Sequence, residues 1–251
     1  MRYLIRFSYD GSCFSGFQKQ KNLKTVQGEI EKALENLNQK EVSIHASGRT
    51  DKGVHAKEQY AHFDIDKELK LYNLKKYLNK SLNGEIYISK VNNCDNNFHA
   101  RYNVINKKYS YYINTGEYNP IKRNYEYQLN EELNINAMQK ASLYLIGKHD
   151  FRSFATDSEA KENTKREIYR IDIEKNNETI KITYLGNGFL RKMIRNITGI
   201  LIEIGLNNKK YTYMKEILEL KSRKGNLKSV PACGLYLEEV NYDWFLFLFL
   251  L

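Results

Sequence analysis

The sequence predicts an α+β fold made of two sheet-and-helix halves. Three observations carry this: short runs of alternating apolar and polar residues that suit strands, longer runs with apolar residues at helical spacing, and the recurrence of that mixture in both halves of a 251-residue chain. The length suits one large domain or two smaller ones and is ample for a core. Residues 1–100 are assigned to the first half and 107–251 to the second, with the joint near Arg101–Asn106. No repeat relates the halves, and with only two prolines, Pro120 and Pro231, no proline-rich linker marks the boundary.

In chain order, residues 2–9 alternate as a strand, and a loop rich in Gly, Gln and Lys follows from Asp10 to Lys24. Thr25 is a suitable N-cap for a helix whose Val26, Ile30, Ala33, Leu34 and Leu37 share one face. A strand-like stretch at Val42–Ala46 precedes a glycine-bracketed segment, and a further strand runs from Glu58 to Ile65. Leu71, Leu74, Leu78 and Leu82 place a helix over 71–82, and Ile86, Ile88 and Val91 mark the next strand. In the second half, Tyr109–Ile113 is aromatic and β-like, and Asn134–Leu145 is helical. Arg166–Lys175 and Thr179–Leu185 form a hairpin turning at Asn176-Asn177. Helices are expected over 189–204 and 211–220, and a last strand over about 234–242.

Forty Lys and Arg against thirty Asp and Glu give a net charge of +10, and aromatic residues make up 13%, twenty of them tyrosine. Cations attract phosphates and rings offer platforms to unstacked bases, so the balance points to a nucleic-acid partner. A lysine-rich bias that merely solvates the surface gives the same composition. Cys13, Cys94 and Cys233 are far apart, with neither metal spacing nor a disulfide framework, and the five histidines are equally scattered. His55 stands four residues after Asp51, but a glycine-interrupted segment is a poor helix for presenting a metal pair, so no metal site is expected. No apolar run is long enough to span a bilayer. The tail Trp244–Leu251 is too short, and reads as a terminal strand or helix turn packed on the body. Arg2–Phe7 alternates like a strand and has no signal-peptide core, so a cytoplasmic location is expected.

Chemistry concentrates at Ser47–Ala56, where Gly48 and Gly53 bracket Arg49, Thr50 and Asp51 directly after a strand. Glycines there permit a tight turn and close approach of a ligand, and functional side chains often sit on such loops. On spacing alone an ordinary hairpin turn, with Asp51 and Gly53 as turn formers and Arg49 on the surface, is the preferred reading.

The block Gly48-Arg49-Thr50-Asp51-x-Gly53-Val54-His55-Ala56 resembles the signature of the TruA-type family of tRNA pseudouridine synthases. Further blocks agree in the family's order. They are Tyr9-Asp10-Gly11-x-x-Phe14-x-Gly16-Phe17-Gln18-x-Gln20, Thr25-Val26-Gln27-Gly28, Phe98-His99-Ala100-Arg101 and Lys107-Lys108-Tyr109-Ser110-Tyr111. Gly147-x-His149-Asp150-Phe151-x-Ser153-Phe154, Gly188-Phe189-Leu190-x-x-Met193-Ile194-Arg195-Asn196 and Pro231-Ala232-x-Gly234-Leu235-Tyr236-Leu237 complete the set, which covers nearly the whole chain.

The resemblance implies the pseudouridine synthase fold: two ferredoxin-like halves forming a mostly antiparallel central sheet, with a basic cleft between them. It also implies a homodimer that isomerises uridine to pseudouridine in the anticodon stem-loop of tRNA, without cofactor or metal. Asp51 matches the essential carboxylate, which either attacks the sugar or takes a proton from it, on a base flipped out of its stack. Tyr109 matches the tyrosine that stacks on the uracil, and Arg195 the cation that pairs with the aspartate and keeps it ionised. Arg49 matches the arginine that fills the space left by the base or meets the adjacent phosphate. Arg191 is placed on the same helical flank as Arg195, and Lys19, Lys107, Lys21, Lys108 and Lys192 are candidate phosphate contacts. Taken singly, Tyr109 also reads as a core tyrosine, and each of these cations as a solvated one. Phe17 stands where a tryptophan is usual and Lys52 where a small residue is common, which bears on substrate preference.

Three other readings compete: a paralogue acting on another RNA, a basic RNA-binding module with a vestigial site, and a metal-dependent nuclease. A binding module does not need Asp51, Tyr109 and Arg195 together. A nuclease wants clustered acidic ligands, and the nearest acidic neighbour of Asp51 is Glu58.

Overall fold

The computed structural model describes residues 1–158, 160, 163–222 and 228–243, so the expectation for the tail 244–251 lies outside the described residues. The chain divides into two compact units, Met1–Ile105 with the segment from Leu237, and Asn106–Tyr236. The sequence reading places everything after residue 107 in one half. The structure instead assigns the segment from Leu237 to the first unit.

The first unit runs β1 (Arg2–Tyr9), α1 (Val26–Asn38), β2 (His45–Ala46), β3 (His55–Asp64), α2 (Leu71–Ser81) and β4 (Ile86–Asn93). β1 is antiparallel to both β3 and β4, and β2 is antiparallel to β3, so the order β4-β1-β3-β2 is that of a ferredoxin-like β-α-β-β-α-β unit. β10 (Leu235–Tyr242) also lies beside β3, which is why its later residues belong here. Its Tyr242 ring packs on Tyr60 and Phe98, and its hydroxyl donates to Ala100 O at 2.7 Å.

Tyr3, Ile5, Phe7 and Tyr9 of β1 are buried, together with Ile30 and Leu34 of α1 and Leu74 and Leu78 of α2. α1 begins where expected, because the Thr25 hydroxyl accepts from Gly28 N–H and satisfies one of the free first-turn donors. The two helices meet where Tyr77 donates to Ala33 O.

The second unit runs β5 (Val104–Asn114, from Asn106), β6 (Tyr127–Gln128), α3 (Ile135–Ser142), β7 (Gly147–Asp150), β8 (Lys165–Asn176), β9 (Thr179–Gly186), α4 (Met193–Gly205) and α5 (Tyr213–Leu220). Its strands lie in the order β5-β9-β8-β7, each antiparallel to its neighbour, while the short β6 runs parallel to the end of β5. The alternation of strand, helix, paired strands and helix thus recurs in both units. Tyr111, Ile113, Ile182 and Tyr184 from the sheet are buried with Met138 of α3 and Ile197, Leu201 and Ile204 of α4. The mostly antiparallel α+β architecture expected from the sequence is what each unit displays.

A stack of histidines couples the first unit's stability to pH. His62 is 1% exposed, with the His45 ring 4.9 Å and the His99 ring 4.7 Å away. Its Nδ1 accepts from Ala100 N–H at 3.1 Å and so carries no proton. Burial, reinforced by the positive Arg2 and the two neighbouring imidazoles, pushes its pKa down to about 4 from 6.5. Between those values the unfolded chain binds the extra proton, so stability rises with pH there. His62 should contribute fully above about pH 6.5 and lose up to about 3 kcal/mol as pH falls toward 4. His62→Asn keeps an acceptor near Nδ1 but cannot titrate. Urea melts at pH 7 and pH 4.5 should show a smaller pH dependence for it than for wild type, and an equal dependence would refute the assignment.

Candidate active site

Asp51 lies in the eight-residue loop, residues 47–54, of the β2–β3 hairpin, so the hairpin reading and the functional reading describe the same segment. At the near end Ser47 N–H donates to Tyr60 O at 2.8 Å. The fully buried Gln59 amide accepts from the Ser47 hydroxyl and donates to Gly48 O at 3.1 Å. At the far end Val54 N–H donates to Asp51 O at 3.2 Å, closing a four-residue turn in which Gly53 has φ +82°. An L side chain is strained at that φ, which explains the second glycine of the pair.

The middle of the loop rests on the loop that follows β1. Phe17 N–H donates to Thr50 O at 3.1 Å, and the Tyr9 and Thr50 hydroxyls are 2.8 Å apart. Burial holds the Tyr9 phenol up at about 12, so it stays protonated. Phe14 and Phe17, both buried, pack around the same ring with centroids 6.5 and 6.3 Å from it. The ring of Phe17 therefore serves a packing role. Gly11 N–H donates to His55 Nδ1 at 3.1 Å, and a Cβ on Gly11 would lie 2.0 Å from Val54 O. His55 is thus a buried acceptor that ties the two loops together. The carboxylate-bearing residue itself stays half-exposed, between exposed Arg49 and exposed Lys52. The backbone is fixed from several sides while the side chains of Arg49 and Asp51 are not buried, which is what a positioned, solvent-reachable carboxylate requires.

A second support, not anticipated from the sequence, is Glu31. Its side chain is only 4% exposed, accepts from Ile44 N–H at 3.1 Å and Gln27 Nε2 at 2.8 Å, and pairs with Lys19 Nζ at 3.1 Å. It anchors the approach to β2 and hence the start of the loop. The i, i+4 spacing of Gln27 and Glu31 was its only sequence signal. Lys19 lies 3.7 Å from Glu35 as well, and its hydrogen bond to Glu31, ahead of the attraction of both carboxylates, raises its pKa. Any phosphate contact by Lys19 would share the ammonium with those two groups.

In the second unit Tyr109 sits on β5 directly opposite Tyr184 of β9, so both side chains lie on the same face of the sheet. Tyr184 reaches Thr198 of α4 at 2.8 Å, which identifies that face as the one α4 covers. Tyr109 is 9% exposed, and the Phe189 ring meets it edge to face at 5.4 Å. Arg195 occupies the first turn of α4. Its Nε donates to Val230 O at 2.8 Å, and Tyr111 donates to Pro231 O at 2.7 Å. Tyr109 and Arg195 therefore share a side of this unit's sheet, and the segment 230–231 fixes the arginine.

Arg191 is placed differently from the sequence reading. α4 starts at Met193, not at Phe189, because Lys192 adopts the left-handed conformation with φ +63° and Met193 N–H closes a turn on Leu190 O. Arg191 is an exposed turn residue, and the flank it was expected to share with Arg195 does not exist. Lys107 is half-buried on β5 opposite Gly186. Among the described residues, no group of three or more His, Cys, Asp or Glu is arranged to hold a metal ion. No helix among them is long and apolar enough to cross a membrane.

A family model described as tRNA pseudouridine synthase matches residues 6–103 and 141–243, which include the Asp51 hairpin, Arg195 and most of both units. The chain belongs to the tRNA pseudouridine synthase family. It is 40% identical over 244 residues to the tRNA pseudouridine synthase A of Borreliella afzelii (strain PKo), covering 96% of this chain and 99% of the relative. It is 42% identical over 242 residues to that of Thermosipho melanesiensis, covering 95% and 98%. The tRNA pseudouridine synthase A 2 of Bacillus thuringiensis subsp. konkukian (strain 97-27) is 39% identical over 242 residues, at 96% and 99% coverage. Family membership bears out the resemblance stated above.

Proposed function

We propose that this chain isomerises uridine to pseudouridine in the anticodon stem-loop of tRNA, as a homodimer. The observation that carries the reading is the likeness to tRNA pseudouridine synthase A relatives over 96% of the chain, together with an Asp51 loop whose backbone is fixed and whose carboxylate-bearing residue stays half-exposed. The isomerisation breaks the bond from C1′ to N1, forms one from C1′ to C5, and moves the C5 proton to N1. Every atom of the product is present in the substrate, so the balance calls for no co-reactant. Asp51 acts on the sugar, as nucleophile or as base, and both roles need it ionised. Tyr109 lies against the extruded uracil, Arg195 holds the carboxylate ionised, and Arg49 takes the space the base leaves or the adjacent phosphate. Lys19, Lys107 and Arg191 meet the backbone. These roles rest on the family resemblance, supported by the local placements described above.

The test is tritium release from tRNA labelled at uridine C5. Wild type should release it without added metal or cofactor, and failure to release it from any RNA refutes the synthase reading. Tyr109→Phe separates the ring from its hydroxyl. It should keep KM within about twofold and lower kcat by roughly tenfold or more if the phenol assists at C5. Tyr109→Leu should lose both. Equal kinetics for all three would remove Tyr109 from the site.

A further inference from the structure

We propose that Tyr102 is a stacking platform for an unpaired base of the RNA substrate, with Arg101 beside it for a neighbouring phosphate. The inference rests on the proposed function and uses only residues of the first unit. Tyr102 is 75% exposed, more than any other tyrosine of the described residues. An aromatic ring left in water contributes little to folding, and a mobile one would be unremarkable. This one is held. Tyr102 N–H and Asn103 N–H both donate to His99 O at 3.1 Å, Asn103 Oδ1 accepts from His99 N–H at 2.7 Å, and Arg101 N–H donates to His99 Nδ1 at 3.1 Å.

The turn carrying the ring thus has the N–H groups of residues 99 and 101–103 bonded within it. Beneath the ring lies the His99 imidazole, at 4.3 Å between centroids and 33° between planes. His99 is in turn backed by His62 and His45, with centroids at 4.7 and 5.6 Å. Tyr102 is the most exposed ring of a four-ring cluster that is anchored in the core through the buried His62. The guanidinium of Arg101 lies 6.0 Å from the Tyr102 centroid and, among the described residues, meets no carboxylate. A held ring with a cation over it, 6.0 Å from its centroid, brings together the two elements that single-stranded nucleic-acid sites use: the ring takes a base face and the cation, swung to the strand, a phosphate. It requires no particular base, because every base offers a π-face.

The experiment compares wild type with Tyr102→Ala, Tyr102→Leu, Tyr102→Phe and Arg101→Ala, measuring tRNA affinity, its salt dependence and tritium release under single turnover. Tyr102→Ala and Tyr102→Leu should weaken affinity by about tenfold with the salt slope unchanged, and Tyr102→Phe should match wild type. Arg101→Ala should lower the salt slope by about one. With saturating enzyme, all should regain the wild-type rate, because none touches the reacting atoms. A direct readout is Tyr102→Trp in a Trp244→Phe background, whose indole emission should be quenched by tRNA.

Affinity within twofold of wild type for Tyr102→Ala, or an unquenched indole, overturns the inference while wild-type tritium release leaves the synthase reading intact. Loss of dimer on Tyr102→Ala without loss of RNA affinity overturns it in favour of a protein contact. A wild-type chain that neither binds nor modifies tRNA overturns both readings.

Discussion

Asp51→Asn should abolish pseudouridine formation and leave the protein folded. The turn that presents residue 51 is closed by backbone, from Val54 N–H to Asp51 O, and the loop is fixed by Phe17, Thr50, Ser47 and Gln59. Asparagine matches aspartate in shape and favours turns, so a melting temperature close to wild type is expected. It can neither attack the sugar nor accept a proton, so the single-turnover rate should fall by about a thousandfold or more. Asp51→Glu restores the charge on a side chain one methylene longer. It should still lose roughly a hundredfold, since displacement of a reacting group by about 1 Å costs that much. Tritium release with saturating enzyme, alongside tRNA affinity, checks both. An asparagine variant that keeps a tenth of the wild-type rate would remove Asp51 from the chemistry.

How much of this was legible depends on what kind of signal each residue leaves. Periodicity and capping chemistry located α1, down to the Thr25 cap, and the hairpin turning at Asn176-Asn177. They overran at α4, because Leu190, Met193, Ile194 and Ile197 keep one apolar period through a turn that only the backbone of Lys192 reveals. Buried Val42 and Ile44 read as part of a strand, yet ladder pairing starts only at His45. The short β7, Gly147–Asp150, is too polar to signal a strand. Strand partners at long sequence separation were also out of reach, so the assignment of the later residues of β10 to the first unit needed coordinates.

The site divides the same way. The glycine-bracketed Asp51 loop and the residues Tyr109 and Arg195 are legible through motif blocks, which mark the groups proposed to act. The groups that support them were not found. Gln59 is an ordinary polar residue in a strand pattern, and only its complete burial and its bonds to Ser47 and Gly48 show that it shapes the loop. Glu31 appears as a surface charge until its position 3.1 Å from Ile44 N is known. Burial and long-range pairing are collective properties of the fold, and local composition carries little of either.

Gly11→Ala should be the most damaging change outside the residues proposed to meet the substrate. The added Cβ would lie 2.0 Å from Val54 O, 2.4 Å from Val54 C and 2.9 Å from Val54 N. All three are backbone atoms, so no rotamer change relieves the overlap and one of the two loops must move. Moving the Gly11 side pulls its N–H off His55 Nδ1 and loses that buried hydrogen bond. Moving the Val54 side shifts the residue that closes the Asp51 turn. Either way a destabilisation of about 2–4 kcal/mol is expected from overpacking and the lost hydrogen bond. Well below the new melting temperature the rate should still fall by about a hundredfold through misplacement of the carboxylate. Since Gly11 is buried and meets no RNA in this scheme, the loss belongs in kcat at saturating tRNA. Ser12→Ala, one residue along and exposed, removes the hydroxyl's bond to Asp10 Oδ1, keeps the one from its backbone N–H, and should stay near wild type in both measurements. If Gly11→Ala melted and turned over like wild type, the contact between the two loops would not be what positions Asp51.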